Sequence, residues 1–343
     1  EHVKVYALPD AYPMGDEIIL IYEVLRRVVT PGALPITAGV LVFNVETLYN
    51  VEQAVDHGYP VAEKWITIGG KVREPYVLRV PVGTPIAQLL KRLDIQVPED
   101  CAMINGGPAM GGIIDPNTAV VTKTTKGLLI LPKELPIIAG KLSSDRVVLS
   151  RASSACCQCT LCTEMCPRAL IGYPLEPHRA VRSATHHVEE NPEDFVTATL
   201  CSGCGVCELA ACCQELSPRR VFQEMKGILA KKGLRYQHKG EPVKVSPERD
   251  YRLLPNERFK TRIGVAPFDR VPTLDDSAWL PTFVTLPMRQ HVGAPAVPTV
   301  KVGDTVKKGD VIGQAGKGVS AMIHSSMDGK VLAVDEQSVT IGR

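Results

Sequence analysis

Eleven cysteines stand in the 343-residue sequence, and ten of them fall between Cys156 and Cys213. Thiolates bind soft metals and iron-sulfur clusters, so this concentration points first to a metal centre. Cys156, Cys159, Cys162 and Cys166, the last followed by Pro167, have the spacing C-x2-C-x2-C-x3-C-P. Three thiolates at that spacing wrap a tight loop around one 4Fe-4S cubane. The fourth points away and, in two-cluster proteins, ligates the other cluster. Cys201, Cys204, Cys207 and Cys212 repeat the arrangement 45 residues on, with Gly203 and Gly205 able to turn the loop back on itself. The expected ligand sets are therefore crossed: Cys156, Cys159 and Cys162 with Cys212, and Cys201, Cys204 and Cys207 with Cys166.

The second run departs from the first in two ways. Four residues separate Cys207 from Cys212, and Cys213 stands where the first run has proline. Cys212 is the preferred distal ligand and Cys213 the alternative. Zinc is a competing reading, but its structural sites usually pair two C-x2-C knuckles across a longer gap, which a doubled triple-cysteine run fits poorly. Cys101, Cys157 and Cys213 are left over, each expected to be a small buried hydrophobe. His178, His186 and His187 lie between the runs on a polar, helical-looking stretch and read as solvated helix, not as ligands. Free thiols beside air-sensitive clusters imply a reducing, cytosolic compartment. Clusters only carry electrons, so a donor and an acceptor must be sought in the rest of the chain.

The elements that position these residues follow from composition and punctuation. A chain of 343 residues suggests two to four modules. Hydrophobic residues make up 45% and charged residues 22%, and no apolar run approaches the roughly 18 residues of a membrane span, so the chain reads as soluble. A net charge of +2 and 5% aromatic residues argue against nucleic acid, which wants a basic stripe and a stacking platform. No secretory leader opens the chain, and Val3 to Tyr6 already reads as a strand, as if the sequence begins inside a domain. The expected class is multidomain α/β. Residues 1–57 read as strand, helix, strand, with helical periodicity over Ile18 to Val29 and a buried strand over Gly39 to Phe43. Residues 58–140 carry short strands at Trp65 to Ile68, Val77 to Val80, Ala119 to Val121 and Leu128 to Ile130, and a helix from about Pro85 to Arg92. This suggests a β-grasp (SLBB-like) unit. Its Gly106 to Gly112 stretch reads as a loop, because no strand leads in and no helix follows as a dinucleotide fingerprint requires. Residues 141–235 form an α-helical, two-cluster, ferredoxin-like domain. Residues 236–283 read as a surface linker, and 284–343 return to Val-rich strands around Gly-Asp turns.

Tyr12-Pro13-Met14-Gly15-Asp16-Glu17 and Phe43-Asn44-Val45-Glu46-Thr47-Leu48 resemble segments of the flavoprotein subunit of respiratory NADH dehydrogenase. In that family these stretches line the FMN and nicotinamide pocket. The resemblance implies that residues 1–57 are the C-terminal part of a partial Rossmann-like flavin domain. Tyr12, Gly15, Asp16, Glu17, Asn44 and Thr47 would then touch cofactor, Asp16 and Glu17 facing the NADH donor. Read as residues, Gly15 lets backbone approach a planar ring, and Asn44 and Thr47 offer hydrogen bonds to a ribityl chain or phosphate. The same residue types also cap helices. The family's Gly-rich phosphate loop has no counterpart in these residues, so FMN binding by this stretch alone is expected to be weak.

Residues 300–312 and 324–331 look like the two halves of a lipoyl-type barrel-sandwich module. Val319 stands where such modules carry their modified lysine, with Lys317 two residues early, so an unmodified docking module is expected. The Rnf-type C subunit shares these parts but carries its barrel-sandwich module at the amino end. The order found here, with Tyr12-Pro13-x-Gly15-x-Glu17 and Leu216-Ser217-Pro218-Arg219-Arg220, resembles the cobalamin reductases of propanediol-utilisation microcompartments. That resemblance implies electron flow from NADH through FMN and two 4Fe-4S clusters to a corrinoid. It also implies, as partners, a corrinoid or a corrinoid-handling enzyme, and a microcompartment shell. The alternative is an Rnf-C-like electron-transfer or docking subunit with no substrate site of its own. No catalytic side chain is assigned.

Overall fold

The computed structural model describes residues 3–183 and 192–343. His186 and His187 lie outside the described residues. Two compact units are formed, Glu1–Val42 with Leu135–Ala266, and Phe43–Glu134 with Pro267–Arg343. No helix among the described residues is long and apolar enough to cross a membrane.

In the first unit, the helix Glu17–Leu25 begins where the Asp16 carboxylate accepts from the backbone N–H groups of Ile18 and Ile19. It buries Ile18, Ile19 and Ile21, each worth about 2 kcal/mol of apolar burial. The expected helix to Val29 stops four residues early. Arg26 turns left-handed at φ 52°, and the β-branched Val28, Val29 and Thr30 before Pro31 favour extended backbone. The same core takes in Ile171, Tyr173, Leu175, Leu200, Leu216, Phe222, Met225 and Leu229, and half-buried Cys156, Cys166, Cys201 and Cys212 pack against it. The cysteine loops are thus attached to the hydrophobic centre of the unit. Gly172 is required: at φ 94°, an added Cβ would lie 2.5 Å from the Lys244 carbonyl oxygen.

Two expected strands are not formed. Val3 to Tyr6 and Gly39 to Phe43 have no ladder among the described residues, and Leu41 is 62% exposed. Pro35–Ala38 forms a 3-10 turn that ends at Gly39, φ 71°. An apolar run becomes a strand only where a neighbour supplies its hydrogen bonds. The stretch 236–283 is also more than a linker. Leu254–Pro255 pairs antiparallel with Ala11–Tyr12, and the helix Asn256–Arg262 sets Phe259 against the Tyr12 ring at 4.3 Å. Thr273–Asp275 joins the second unit as a parallel edge strand beside Tyr76–Pro81. Strands of two or three residues show no alternation to read.

In the second unit a six-stranded mixed sheet runs in the order Gly112–Ile114, Cys101–Asn105, Gly127–Pro132, Glu63–Gly70, Tyr76–Pro81, Thr273–Asp275. Helix Ile86–Arg92 packs Ile86, Leu89 and Leu90 into the core with Ile66, Ile68, Leu78, Val80, Met103, Leu128 and Ile130. Residues 119–121 contribute a single bridge, Val120 to Pro85, rather than a strand. Gly106 to Gly111 is the loop of the hairpin between Cys101–Asn105 and Gly112–Ile114, so a strand does lead into it, contrary to expectation, although a strand and not a helix follows. From Phe283 onward, a four-stranded and a three-stranded sheet share a core of Val284, Leu286, Ile312, Ile323, Val331, Val339 and Ile341. Asp304 and Asp310 accept from the backbone N–H groups of Lys301 and Lys307, closing the two Gly-Asp turns. Val319 is 83% exposed in the loop after Val311–Gln314.

Candidate metal centre

Both cysteine runs fold as loops with the same backbone signature. In the first, Gln158 and Thr160 have φ 56° and 65°; in the second, Gly203 and Gly205 have φ 74° and 84°. These are the same positions relative to Cys156 and Cys201, and left-handed backbone there turns successive thiols inward. The first run bears strain of about 1–3 kcal/mol per non-glycine residue, which glycine removes in the second. Thr160 Oγ1 donates to Glu164 Oε1 at 2.8 Å and helps hold its turn.

The thiols converge on two hollows. One is lined by Cys156, Cys159, Cys162 and Cys212, with Cys157 and Cys213 at hand. The other is lined by Cys166, Cys201, Cys204 and Cys207. Each distal cysteine thus lies with the three thiols of the other run. Electrostatics groups them the same way. Burial first, and then the charges of Cys212, Cys159 and Cys156, push the Cys162 thiol up to about 12. Burial and the neighbours Cys204 and Cys201 push Cys166 up to about 12. Cys207 is raised as well, by burial and then by Cys204, Cys201 and Cys166. Cys212, half-buried, accepts a hydrogen bond at Sγ from the Leu216 N–H at 3.3 Å, and Cys201 accepts one from Gly203. Cys101 is buried as expected, but Cys157 and Cys213 are exposed, because each directly follows a cysteine whose thiol turns inward. His178 is half-buried in the wall of the first hollow, its Nδ1 2.7 Å from Thr163 Oγ1. It is not the solvated helix residue its sequence context suggests.

All the cysteines are free thiols, and the four expected donors that line each hollow fit a 4Fe-4S cubane. Cations accompany the second hollow. Arg168 Nη1 donates to the Leu200 carbonyl and Nη2 pairs with Asp16 at 3.0 Å. Lys226 Nζ donates to the Cys201 carbonyl at 2.8 Å. Arg219 lines the hollow and pairs with Glu208 at 2.9 Å. Fixed positive charge there offsets the charge gathered by thiolates. Sequence reasoning missed these roles, although a basic residue two places after Cys166 and a pair beyond Cys213 were a visible signal. In the Leu216 to Arg220 stretch, Leu216 fills the core, Pro218 opens the helix Pro218–Lys231, and Arg220 ties Asp145 and the carbonyls of Gly140 and Ser143.

The residues implied as flavin contacts separate between the units. Tyr12 donates its hydroxyl to the Cys204 carbonyl at 2.6 Å, so it holds the second cysteine loop. Asp16 is taken up by its cap and by Arg168, while Glu17 and Gly15 are exposed, with open space around Gly15. Asn44 caps the helix Val45–His57 by accepting from the Glu46 N–H, and Thr47 is exposed. Tyr12 to Glu17 belong to the first unit, Asn44 and Thr47 to the second.

The metal-free chain should respond to alkali. Thiols raised in the folded state above the ordinary value of about 8.5 add stability that is complete below that pH and lost as pH climbs toward the folded values. Denaturation of apoprotein at about pH 7 and about pH 10 should show lower stability at the higher pH. Equal stability at both would mean that the thiols are not buried together.

Three family models match: the Nuo51 FMN-binding domain over residues 1–53, the 4Fe-4S dicluster domain over 155–217, and the RnfC barrel sandwich hybrid domain over 276–343. Two crossed thiol sets on a mixed α/β chain with these domains define the class, an iron-sulfur flavoprotein. The chain is 39% identical to the cobalamin reductase PduS of Salmonella typhimurium, over 99% of its own length and 75% of that protein. It is 38% identical to the Citrobacter freundii protein of the same name over the same shares. The chain belongs to the cobalamin reductase PduS family. It is also 31% identical to the C subunit of the Na(+)-translocating ferredoxin:NAD(+) oxidoreductase complex of Acetobacterium woodii, over 48% of this chain and 35% of that one.

Proposed function

We propose that the protein relays electrons from NADH, through FMN and two 4Fe-4S clusters, to a corrinoid. The observation that carries this reading is the crossed grouping of eight cysteines into two hollows, in a chain similar over 99% of its length to cobalamin reductases. When bound, FMN supplies the change from hydride to single electrons, and the cubanes supply single-electron carriage. The chain's own residues hold and tune these groups. Cys156, Cys159, Cys162 and Cys212 would bind one cubane, and Cys201, Cys204, Cys207 and Cys166 the other. Arg168, Arg219 and Lys226 set positive charge beside the second hollow. Glu17, exposed where Asp16 is engaged, is the carboxylate available to orient the nicotinamide nucleotide. Gly15, Asn44 and Thr47 would contact FMN, and Tyr12 ties that segment to the second cysteine loop.

The finer partition belongs to the same proposal: a partial Rossmann-like flavin domain over 1–57, an SLBB-like β-grasp over 58–140 and a ferredoxin-like two-cluster domain over 141–235. Residues 236–283 would connect it to the barrel-sandwich module of 284–343. Association with a microcompartment shell, in a reducing interior, is part of it too.

The test is anaerobic protein that includes the family's Gly-rich phosphate loop, supplied with FMN, NADH and cob(II)alamin and followed by absorbance. Corrinoid reduction should depend on NADH. Glu17→Gln should slow NADH oxidation roughly tenfold, the weight of one charged contact of about 1.4 kcal/mol, with cluster spectra unchanged. Protein that also carries the family's Gly-rich phosphate loop, and holds clusters yet neither binds FMN nor oxidises NADH, would refute the reductase reading, leaving an electron-transfer or docking subunit.

A further inference from the structure

Neither ligand set uses Cys157 or Cys213. Each directly follows a ligand of the first hollow, Cys156 and Cys212. Cys156 (φ −71°, ψ 111°) and Cys212 (φ −71°, ψ 116°) are both extended, and in extended backbone successive side chains leave on opposite sides. Cys156 and Cys212 are half-buried in the hollow, and Cys157 and Cys213 line its exposed rim beside them. Both are exposed, and their sulfurs lie 3.8 Å apart although 56 positions separate them in sequence. Cys159 Sγ lies 3.8 Å from Cys213 as well, but Cys159 is one of the thiols that would hold the cubane.

We propose that Cys157 and Cys213 are a modification site, a reversible disulfide clasp over the mouth of the first hollow, closed by exchange with a low-molecular-weight disulfide. An S–S bond is about 2.0 Å long, so the two sulfurs, 3.8 Å apart, need approach by only about 2 Å to form it. The Cys157 thiolate attacks the small disulfide and one small thiol leaves. Cys213 then displaces the second small thiol as the intramolecular bond forms. The two protein thiols give up two electrons and two protons, and the small disulfide takes them up as two thiols. The clasp ties together the loops that supply all four ligands of the first hollow, so iron there should reach a chelator more slowly once it is closed. This rests on Cys212, not Cys213, being the distal ligand.

The test treats anaerobic, fully iron-loaded protein with oxidised glutathione, then alkylates it under denaturing conditions for mass spectrometry. Two alkylatable thiols should be lost without added glutathione, tryptic peptides 152–168 and 183–219 should become joined, and the iron content should not change. Release of iron to a ferrous chelator should slow several-fold. Cys157→Ser protein should keep its iron and end as a glutathione adduct at Cys213. Fully loaded wild-type protein that forms no internal link, or stops at two glutathione adducts, overturns the clasp alone. Cys213→Ser protein that loses a cluster before any oxidant is added overturns both the clasp and the ligand assignment beneath it.

Discussion

Cys166→Ser should remove the cluster held by Cys201, Cys204 and Cys207 and spare the one held by the run in which Cys166 itself stands. Iron should fall from about eight to about four per chain, and the surviving EPR signal should be that of the Cys156, Cys159 and Cys162 set. The reason is positional. Cys166 lies where Pro167 opens a short helix, and its thiol faces the second hollow among Cys201, Cys204 and Cys207. A serine hydroxyl is a harder and shorter donor than a thiolate, and no other cysteine lines that hollow to replace it. Cys159→Ser should do the opposite, removing the first cluster and sparing the second. Cys212→Ala should disturb the first cluster more than Cys213→Ala, because Cys212 is half-buried against the core while Cys213 is exposed. If Cys166→Ser takes the first cluster instead, the crossed assignment is wrong.

Arg219→Ala should destabilise the first unit by roughly 3–5 kcal/mol, since removing one partner of a buried ion pair leaves the other charge without compensation. Against a total of about 5–15 kcal/mol for an ordinary domain, that is enough to put folding in jeopardy. The side chains of Arg219 and Glu208 are 7% and 11% exposed. Burial raises the Glu208 carboxyl in spite of the guanidinium beside it, so the pair adds little net stability while each partner depends on the other. Replacing both, Arg219→Met with Glu208→Leu, should therefore recover most of the loss. Anaerobic urea unfolding, followed by cluster absorbance and by far-UV dichroism, measures both variants. A single-variant loss below about 1 kcal/mol, or a double variant as unstable as the single, would contradict the account.

Much of the chain was open to reading in one dimension because the forces involved are local. Loop ligation is set by spacing over a few residues, so both cysteine runs, and the turning points Gly203 and Gly205 of the second, could be named from sequence alone, whereas the left-handed Gln158 and Thr160 of the first could not. The strands Glu63–Gly70, Tyr76–Pro81 and Gly127–Pro132 and the helix Ile86–Arg92 were legible because their apolar residues repeat with the period of the element. The caps at Asp16 and Asn44 were foreseeable from residue type.

What sequence could not decide depends on partners far along the chain. Whether Gly39 to Phe43 is a strand depends on a neighbouring strand, and none is present among the described residues. That 236–283 contributes pairing to both units depends on Ala11–Tyr12 and Tyr76–Pro81, more than 190 residues away. Asp16 could have faced a nucleotide until the fold brought Arg168 to it. Cys157 and Cys213 passed for buried residues until backbone parity placed both on one rim. Sequence alone determined which residues could be ligands, caps and core, because those properties reside in the side chain and its nearest neighbours. Tertiary structure alone decided which thiols, charges and edges meet, because a contact is made only once the entropy of closing the chain between its partners has been overcome.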